Sequence, residues 1–448
     1  VNRRTEGESV RVRRNGTMLV AFTLLSSVLV ACSSSGGSSG PPSTGGSGGS
    51  TPTSAGGPDY SQPSGAVRGF DGTTIKVASL GIKSQLPTVD IGASARIKRF
   101  NDANEIPGVK LEYVEFADDN QDRATALSEA RRLVAQEKVF GIVGDVSSVN
   151  PLAYFKQQHV PYFGFAFDDT YCTAKPDPTV WGFGIDGCLV PNTPKQLGDS
   201  AGNIIKYARQ ATGKDHPTVA LFSSDTPSGQ NAAKYDEPPY AGAGFDVVFA
   251  KGIVPPPPVS DYTPYVQQLL HSNKGGAPDA IVCLLTTDCI PMYGLLQANK
   301  YPGVFISALY SDLVLTPMKG SAVFTVFAPL NDPTPANARL RADIKAIKAS
   351  QAPDLGSAVG YFSADMFIQA VKNLVQAKGK SFISPENVQQ AAAHMTWEIK
   401  GQIGPVKYPA STVIPTPVCS AVVVDADGAS WRTVVPYSCS YKTFAASG

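Results

Sequence analysis

The chain has 448 residues, with 38 Lys plus Arg against 37 Asp plus Glu and a formal charge of +1. That balance excludes the basic face with which a nucleic-acid binder displaces phosphate counterions. Hydrophobic residues make up 42%, which excludes wholesale disorder, and the length is enough for more than one domain.

The first segment reads as an address. Arg3, Arg4, Arg11, Arg13 and Arg14 precede an apolar run, Met18 to Ala31, that is too short to cross ~30 Å of hydrocarbon comfortably. The run ends in Leu29-Val30-Ala31-Cys32, which resembles the bacterial lipobox, where cleavage leaves a lipidated Cys. Residues 1–31 are therefore expected to be a signal peptide, with Cys32 as the lipidation site. Residues 33–65 are nearly all Ser, Gly, Pro and Thr, a composition that buries little and predicts a flexible tether.

Six further cysteines remain: Cys172, Cys188, Cys283, Cys289, Cys419 and Cys439. An even number in an exported chain suggests disulfides, and many pairings are open. Proximity along the chain favours Cys172 with Cys188, Cys283 with Cys289 and Cys419 with Cys439. The four His (159, 216, 271 and 394) are far apart, so neither a His-built metal site nor a cofactor is expected.

Past the tether, strands and helices alternate. Residues 74–78 read as a strand, and Ala93, Ile97 and Phe100 mark one helical face. Val109, Leu111 and Tyr113 alternate as a strand, then Ala126, Ala130, Leu133 and Val134 form a helical stripe. Short strands are predicted at 139–143 and 160–165, with Asn150-Pro151 opening a helix between them. After a Pro/Gly/Cys-rich break at 170–200, strands recur at 218–223, 246–250, 280–285 and 304–309, with helices near 229–238, 261–273 and 290–299. Helices are predicted near 334–350, 356–378 and 385–397, followed by a hairpin pairing 418–425 with 431–439. This βαβ order implies parallel sheets with helices on both faces, in two lobes.

The stretches IKVASLG (75–81), RIKRFNDANEIPGVKLEYVEFADD (96–119), ALSEARRLVAQEKVFGIVGDVSS (126–148), VPPPPVSDYTPYVQQLL (254–270) and PDAIVCLL (278–285) resemble the leucine/isoleucine/valine-binding family of ABC-transporter solute-binding proteins. The resemblance implies a two-lobed α/β type I periplasmic-binding-protein fold, each lobe a mostly parallel sheet flanked by helices. It would place 66–190 plus 308–402 in one lobe and 191–307 plus 403–448 in the other. The solute is expected in the cleft between them, outside the carboxyl ends of the strands.

By that resemblance, the loop carrying Ser147 and Ser148 would take a ligand carboxylate, helped by helix NH groups. The same hydroxyls would serve equally as helix caps. Ala166 and Phe167 correspond to a second anchoring pair. In the other lobe the family's aromatic anchor is replaced by Asp225-Thr226-Pro227-Ser228-Gly229, so Asp225 and Ser228 become the candidates. Asp288 stands near the family's acidic partner for an ammonium, and Tyr310 ends a strand at the expected cleft.

No nucleophile-base constellation for an enzyme assembles. Gly182 to Gly187 matches G-x-G-x-x-G but lacks a clear preceding strand and a following helix. The expected function is capture of an amino acid or a related small polar or carboxylate solute for an ABC permease. The chain would be a monomer on the outer face of the bacterial cytoplasmic membrane, in contact with it through the lipid. The alternative is a ligand-sensing lipoprotein without a permease, which neighbouring permease and ATPase genes would argue against.

Overall fold

The computed structural model describes residues 57–149, 151–167, 169–173, 176–189, 194–256, 258–410 and 418–446. Cys32 and the expected signal peptide lie outside these residues, as do Asn150 and Asp168. The tether composition extends to residue 65, yet its last part is fixed. Asn387 receives the Ser61 NH at 3.0 Å and donates to the Ser61 carbonyl at 2.7 Å, while Gln62 donates to the Ser381 carbonyl.

The first lobe begins with β1 (Thr74–Gly81), α1 (Val89–Asp102), β2 (Lys110–Asp118), α2 (Arg123–Ala135), β3 (Gly141–Asp145), α3 (Leu152–Gln157), β4 (Tyr162–Gly164) and β5 (Gly182–Gly184). The five strands are parallel in the order β2-β1-β3-β4-β5. Strand β1 is buried on both faces, as a parallel strand between helix layers must be. Ile75 and Val77 face α1, while Ala78 and Leu80 meet Leu133, Leu152 and Phe155 of α2 and α3. The side chain of Asp122 caps α2 by accepting the Thr125 NH. The G-x-G stretch at 182–184 is itself strand β5, so the supposed break between lobes contains structure that three short residues do not announce.

The second lobe holds β6 (Gln196–Gly198), α4 (Ile204–Thr212), β7 (Thr218–Ser224), α5 (Pro227–Ala243), β8 (Asp246–Val254), α6 (Thr263–Leu270), β9 (Ala280–Cys283), α7 (Cys289–Ala298), β10 (Val304–Ser307) and β11 (Ala322–Thr325). Strands β8-β7-β9-β10-β11 run parallel. Alternation sorts their side chains. Val219 and Leu221 pack on α4, whereas Ala220 and Phe222 face the layer of α6 and α7.

The chain then returns to the first lobe with α8 (Pro335–Ile347), α9 (Leu355–Lys378), α10 (Pro385–Ala393), β12 (Thr396–Ile399) and β13 (Ile403–Lys407). It finishes in the second with β14 (Val418–Asp425), β15 (Trp431–Ser440) and β16 (Thr443–Ala445). Strand β14 pairs antiparallel with β11 and forms the expected hairpin with β15, while β16 pairs with β6. Two expectations are corrected here. The boundary at 308 assigned β11 to the first lobe, but its register with β10 (Ile306↔Ala322) and β14 (Ala322↔Val424) puts it in the second sheet. The helix predicted to 397 stops at Ala393, because Trp397 enters the β12–β13 pair and donates to Asp365.

Helix α9 lies against α1 at unusually short range. A Cβ on Gly360 would sit 2.0 Å from the Val89 carbonyl, and one on Gly92 would sit 1.8 Å from that of Ser357. Only glycine lets the two backbones meet this way. Beside the contact, Arg96 forks onto Glu105 at 2.8 and 3.1 Å and reaches Asp365 at 2.6 Å.

Disulfides join Cys172 to Cys188, Cys283 to Cys289 and Cys419 to Cys439. Among the described residues no helix is long and apolar enough to cross a membrane.

Candidate functional site

A cleft of about 340 Å³ lies where the carboxyl ends of both parallel sets meet. From the first lobe come Ile82 and Gln85 after β1, Gln121 after β2, Ser148 and Val149 after β3, Phe165 and Phe167 after β4, and Ile185 and Asp186 after β5. From the second come Ser224 and Ser228 after β7, Pro255 and Pro256 after β8, Leu284 to Thr286 and Asp288 after β9, and Ala308 after β10. A side-chain layer from β13 and β14, including Pro405, Val406 and Ser420, lines it as well. The position follows from topology, since loops leaving neighbouring parallel strands splay and leave a crevice.

Helix α5 supplies the longest wall. Ser228, Gly229, Ala232, Tyr235, Asp236, Pro239 and Tyr240 all line the cleft, one stripe at helical spacing. The helix starts at Thr226, whose hydroxyl accepts the Gly229 NH at 3.1 Å. The Cys283–Cys289 bridge closes the loop between β9 and α7 and holds Thr286 and Asp288 at the rim.

Of the residues singled out from the sequence, Ser148, Phe167, Ser228 and Asp288 line the cleft. The other four do not. Ser147 is fully buried and donates its hydroxyl to Asp119 at 2.6 Å. Ala166 is buried in the core beside α2 and α3. Asp225 is exposed and accepts from Gln230 at 2.8 Å. Tyr310 is fully buried, its ring stacked on Trp431 with centroids 5.4 Å apart.

Two acids escaped the sequence reading. Asp186 follows β5, a strand too short to register, so its place at a strand's carboxyl end went unseen. Asp236 lies on the α5 stripe and would have emerged from extending the helical face of Ser228 down the chain. Burial pushes the Asp186 carboxyl up to about 7, although its own NH and that of Ala166 favour the anion. Both its oxygens are shut off from water and meet no donor in hydrogen-bond geometry. Burial likewise raises Asp236 to about 6, against a 2.7 Å hydrogen bond from Ser200. Asp288 accepts from the Tyr262 hydroxyl at 2.5 Å.

No Lys, Arg or His is among the described residues that line the cleft. Lys83 and Lys195, next to lining residues in sequence, are exposed. Among the described residues no group of His, Cys, Asp and Glu is arranged to hold a metal ion.

Residues 81–429 match the periplasmic binding protein family. The chain belongs to that family. Its fold is the type I arrangement, and at family level a periplasmic binding protein is a binder rather than an enzyme. Solved structures agree on the fold. A solute-binding protein of an R. palustris ABC transporter, in complex with 4-hydroxybenzoate, is 18% identical, covers 82% of this chain and 98% of its own, and gives a TM-score of 0.61. A Thermus thermophilus branched chain amino acid ABC transporter protein with bound valine is 14% identical over 82% of this chain and 96% of its own, at 0.62. A fatty acid ABC transporter substrate-binding protein from Thermomonospora curvata is 15% identical over 85% and 95%, at 0.63. No curated protein sequence matches the chain.

Proposed function

We propose that this periplasmic binding protein captures a small molecule between its lobes and delivers it to an ABC permease. The observation that carries the reading is the cleft, an enclosure of about 340 Å³ at the carboxyl ends of two parallel sheets. That volume suits one small organic guest. Ser148, Phe167, Ser228 and Asp288 are its proposed contacts. The passages of chain between the lobes act as hinges, so the guest is buried by closure.

The expectation of an amino acid or other carboxylate solute finds less support. It relied on Ser147, whose hydroxyl is taken by Asp119, on Ser148, which does line the cleft, and on α3, which is a six-residue helix. The similar structures hold valine in one case and 4-hydroxybenzoate in another, and a third belongs to a fatty acid transporter, so the fold leaves the class open.

A thermal-shift screen of the full chain against small solutes, followed by X-ray scattering, tests the function. A cognate solute should raise the melting temperature and shrink the radius of gyration. If stabilising solutes never compact the protein, capture by closure is wrong. The Leu29-Val30-Ala31-Cys32 signal supports a receptor tethered at the outer face of the membrane. Cys32→Ser should then release it to the soluble fraction, and retention after a salt wash would refute the lipid anchor.

A further inference from the structure

The cleft combines three features that constrain its guest. Much of its wall is apolar, with Phe165, Phe167 and Ile185 from one lobe and Leu284, Leu285 and Phe324 from the other. Its charged residues, among those described, are all aspartates: Asp186, Asp236 and Asp288. These differ in what they already hold. The Tyr262 hydroxyl takes Oδ1 of Asp288 and the Ser200 hydroxyl takes Oδ1 of Asp236, so each offers its second oxygen. The Asp186 carboxyl lines the cleft with both oxygens shut off from water, near only its own NH and that of Ala166 and in good hydrogen-bond geometry with neither.

Buried polar groups without partners are rare in folded proteins, and each calls for an explanation. A carboxylate guest would add negative charge to this wall with no cation to meet it. A protonated amine would supply the missing counter-charge, and its apolar body would cover the aromatic and aliphatic wall. Resting on the solute-capture reading above, we infer that the guest selected by this cleft is an apolar organic cation whose ammonium group is received by Asp236 and Asp186. Asp236 offers its second oxygen on the second-lobe wall, and Asp186 lines the first-lobe side at the end of β5.

The inference departs from capture by a carboxylate anchor, because it needs neither Ser147 nor a helix N-terminus. The burial-raised affinity of both acids for protons is what carboxyls lacking a counter-ion show.

Calorimetric titration with matched probes tests it. The probes are hexylamine, hexanoate and hexanamide, then phenethylamine, phenylacetate and phenylacetamide, each against the full chain. In at least one set the amine should bind tightest. Asp236→Asn should weaken that amine roughly 10- to 100-fold, the usual worth of a charged hydrogen bond, while leaving the amide nearly unchanged. Asp186→Asn should do the same to a smaller degree, with a melting temperature equal to or above the parent's, which shows that the fold survives. An acid binding as tightly as its amine in both sets overturns the inference. So does an Asp236→Asn variant that keeps amine affinity within about twofold. Neither result touches the capture reading, which stands or falls on whether any solute closes the lobes. Failure of all six probes to bind also overturns the amine class.

Discussion

At the carboxyl ends of the first sheet, polar side chains are matched inside the lobe. Ser79 donates to the Val143 carbonyl at 2.6 Å, Ser147 to Asp119 at 2.6 Å and Tyr171 to Asp145 at 2.5 Å. What this lobe presents to the cleft is an apolar wall of Ile82, Phe165, Phe167 and Ile185, with Gln85, Gln121, Ser148 and Asp186 as its polar groups. The second lobe runs the same strand-loop-helix plan but leaves Ser228, Thr286 and one oxygen of Asp236 at the surface of the cleft. A hydroxyl already bonded within its own lobe has no donor left for a guest. One lobe is therefore a rigid floor, and the other carries most of the groups that can distinguish solutes.

The largest effect should come from breaking the interior of the rigid lobe. Arg96 is almost wholly buried and holds Glu105 and Asp365. Arg96→Leu leaves both carboxylates without it and should lower stability by about 3–5 kcal/mol at neutral pH. Burial pushes Glu105 up, but hydrogen bonds and charge from Arg96 and Lys372 outweigh it and hold the carboxyl below its ordinary range. A depressed carboxyl contributes stability above its unfolded pKa and loses it as pH falls through the folded one. The gap between parent and variant should therefore narrow on acidification below about pH 4. Denaturant melts at neutral and acid pH check this, and a gap that widens in acid would show that Arg96 does not set the Glu105 titration.

Most of the fold was legible because long periodic stretches carry it. The α1 face of Ala93, Ile97 and Phe100 emerges where its spacing puts it, and the strands predicted at 218–223 and 280–285 are Thr218–Ser224 and Ala280–Cys283. Short elements did not. Strands β5 and β11 have three and four residues, less than the period needed to separate strand from turn. The loss of β5 cost the position of Asp186, and the loss of β11 misplaced the lobe boundary. At the cleft, Ser148, Phe167, Ser228 and Asp288, to which the family resemblance points, are among the lining residues. Ser147 was not separable from Ser148, because which of two adjacent hydroxyls turns inward depends on Asp119, twenty-eight residues away in sequence.

That pair gives a sharper and smaller test of the contrast between the lobes. Ser147→Ala removes a donor from a buried carboxylate and should cost about 1–3 kcal/mol of stability, leaving solute affinity within about twofold. Ser148→Ala should reverse the pattern, with a melting temperature near the parent's and weaker binding of any solute that contacts this wall. Melting temperature and calorimetric affinity measured on both variants decide it. If Ser147→Ala weakens binding while the melting temperature holds, the first lobe is an active wall and the contrast fails.

The smallest effect concerns how permissive the second lobe is away from the cleft. Gly294 sits mid-helix in α7, is exposed, and has no atom within 4 Å of where a Cβ would go. Gly360, at the α1–α9 contact, is its opposite, since a Cβ there would meet the Val89 carbonyl at 2.0 Å. Glycine in an exposed helix interior costs about 1 kcal/mol relative to alanine, mostly through the freedom it has when unfolded. Gly294→Ala should therefore raise stability by about 0.5–1 kcal/mol, seen as a rise of a few degrees at most in a calorimetric melt. Solute affinity should not change, because no residue of α7 itself lines the cleft and only its N-cap, Asp288, does. A loss of stability instead would mean that something approaches this face in solution as closely as α1 approaches α9, and the second lobe would have to be redrawn as having a covered side.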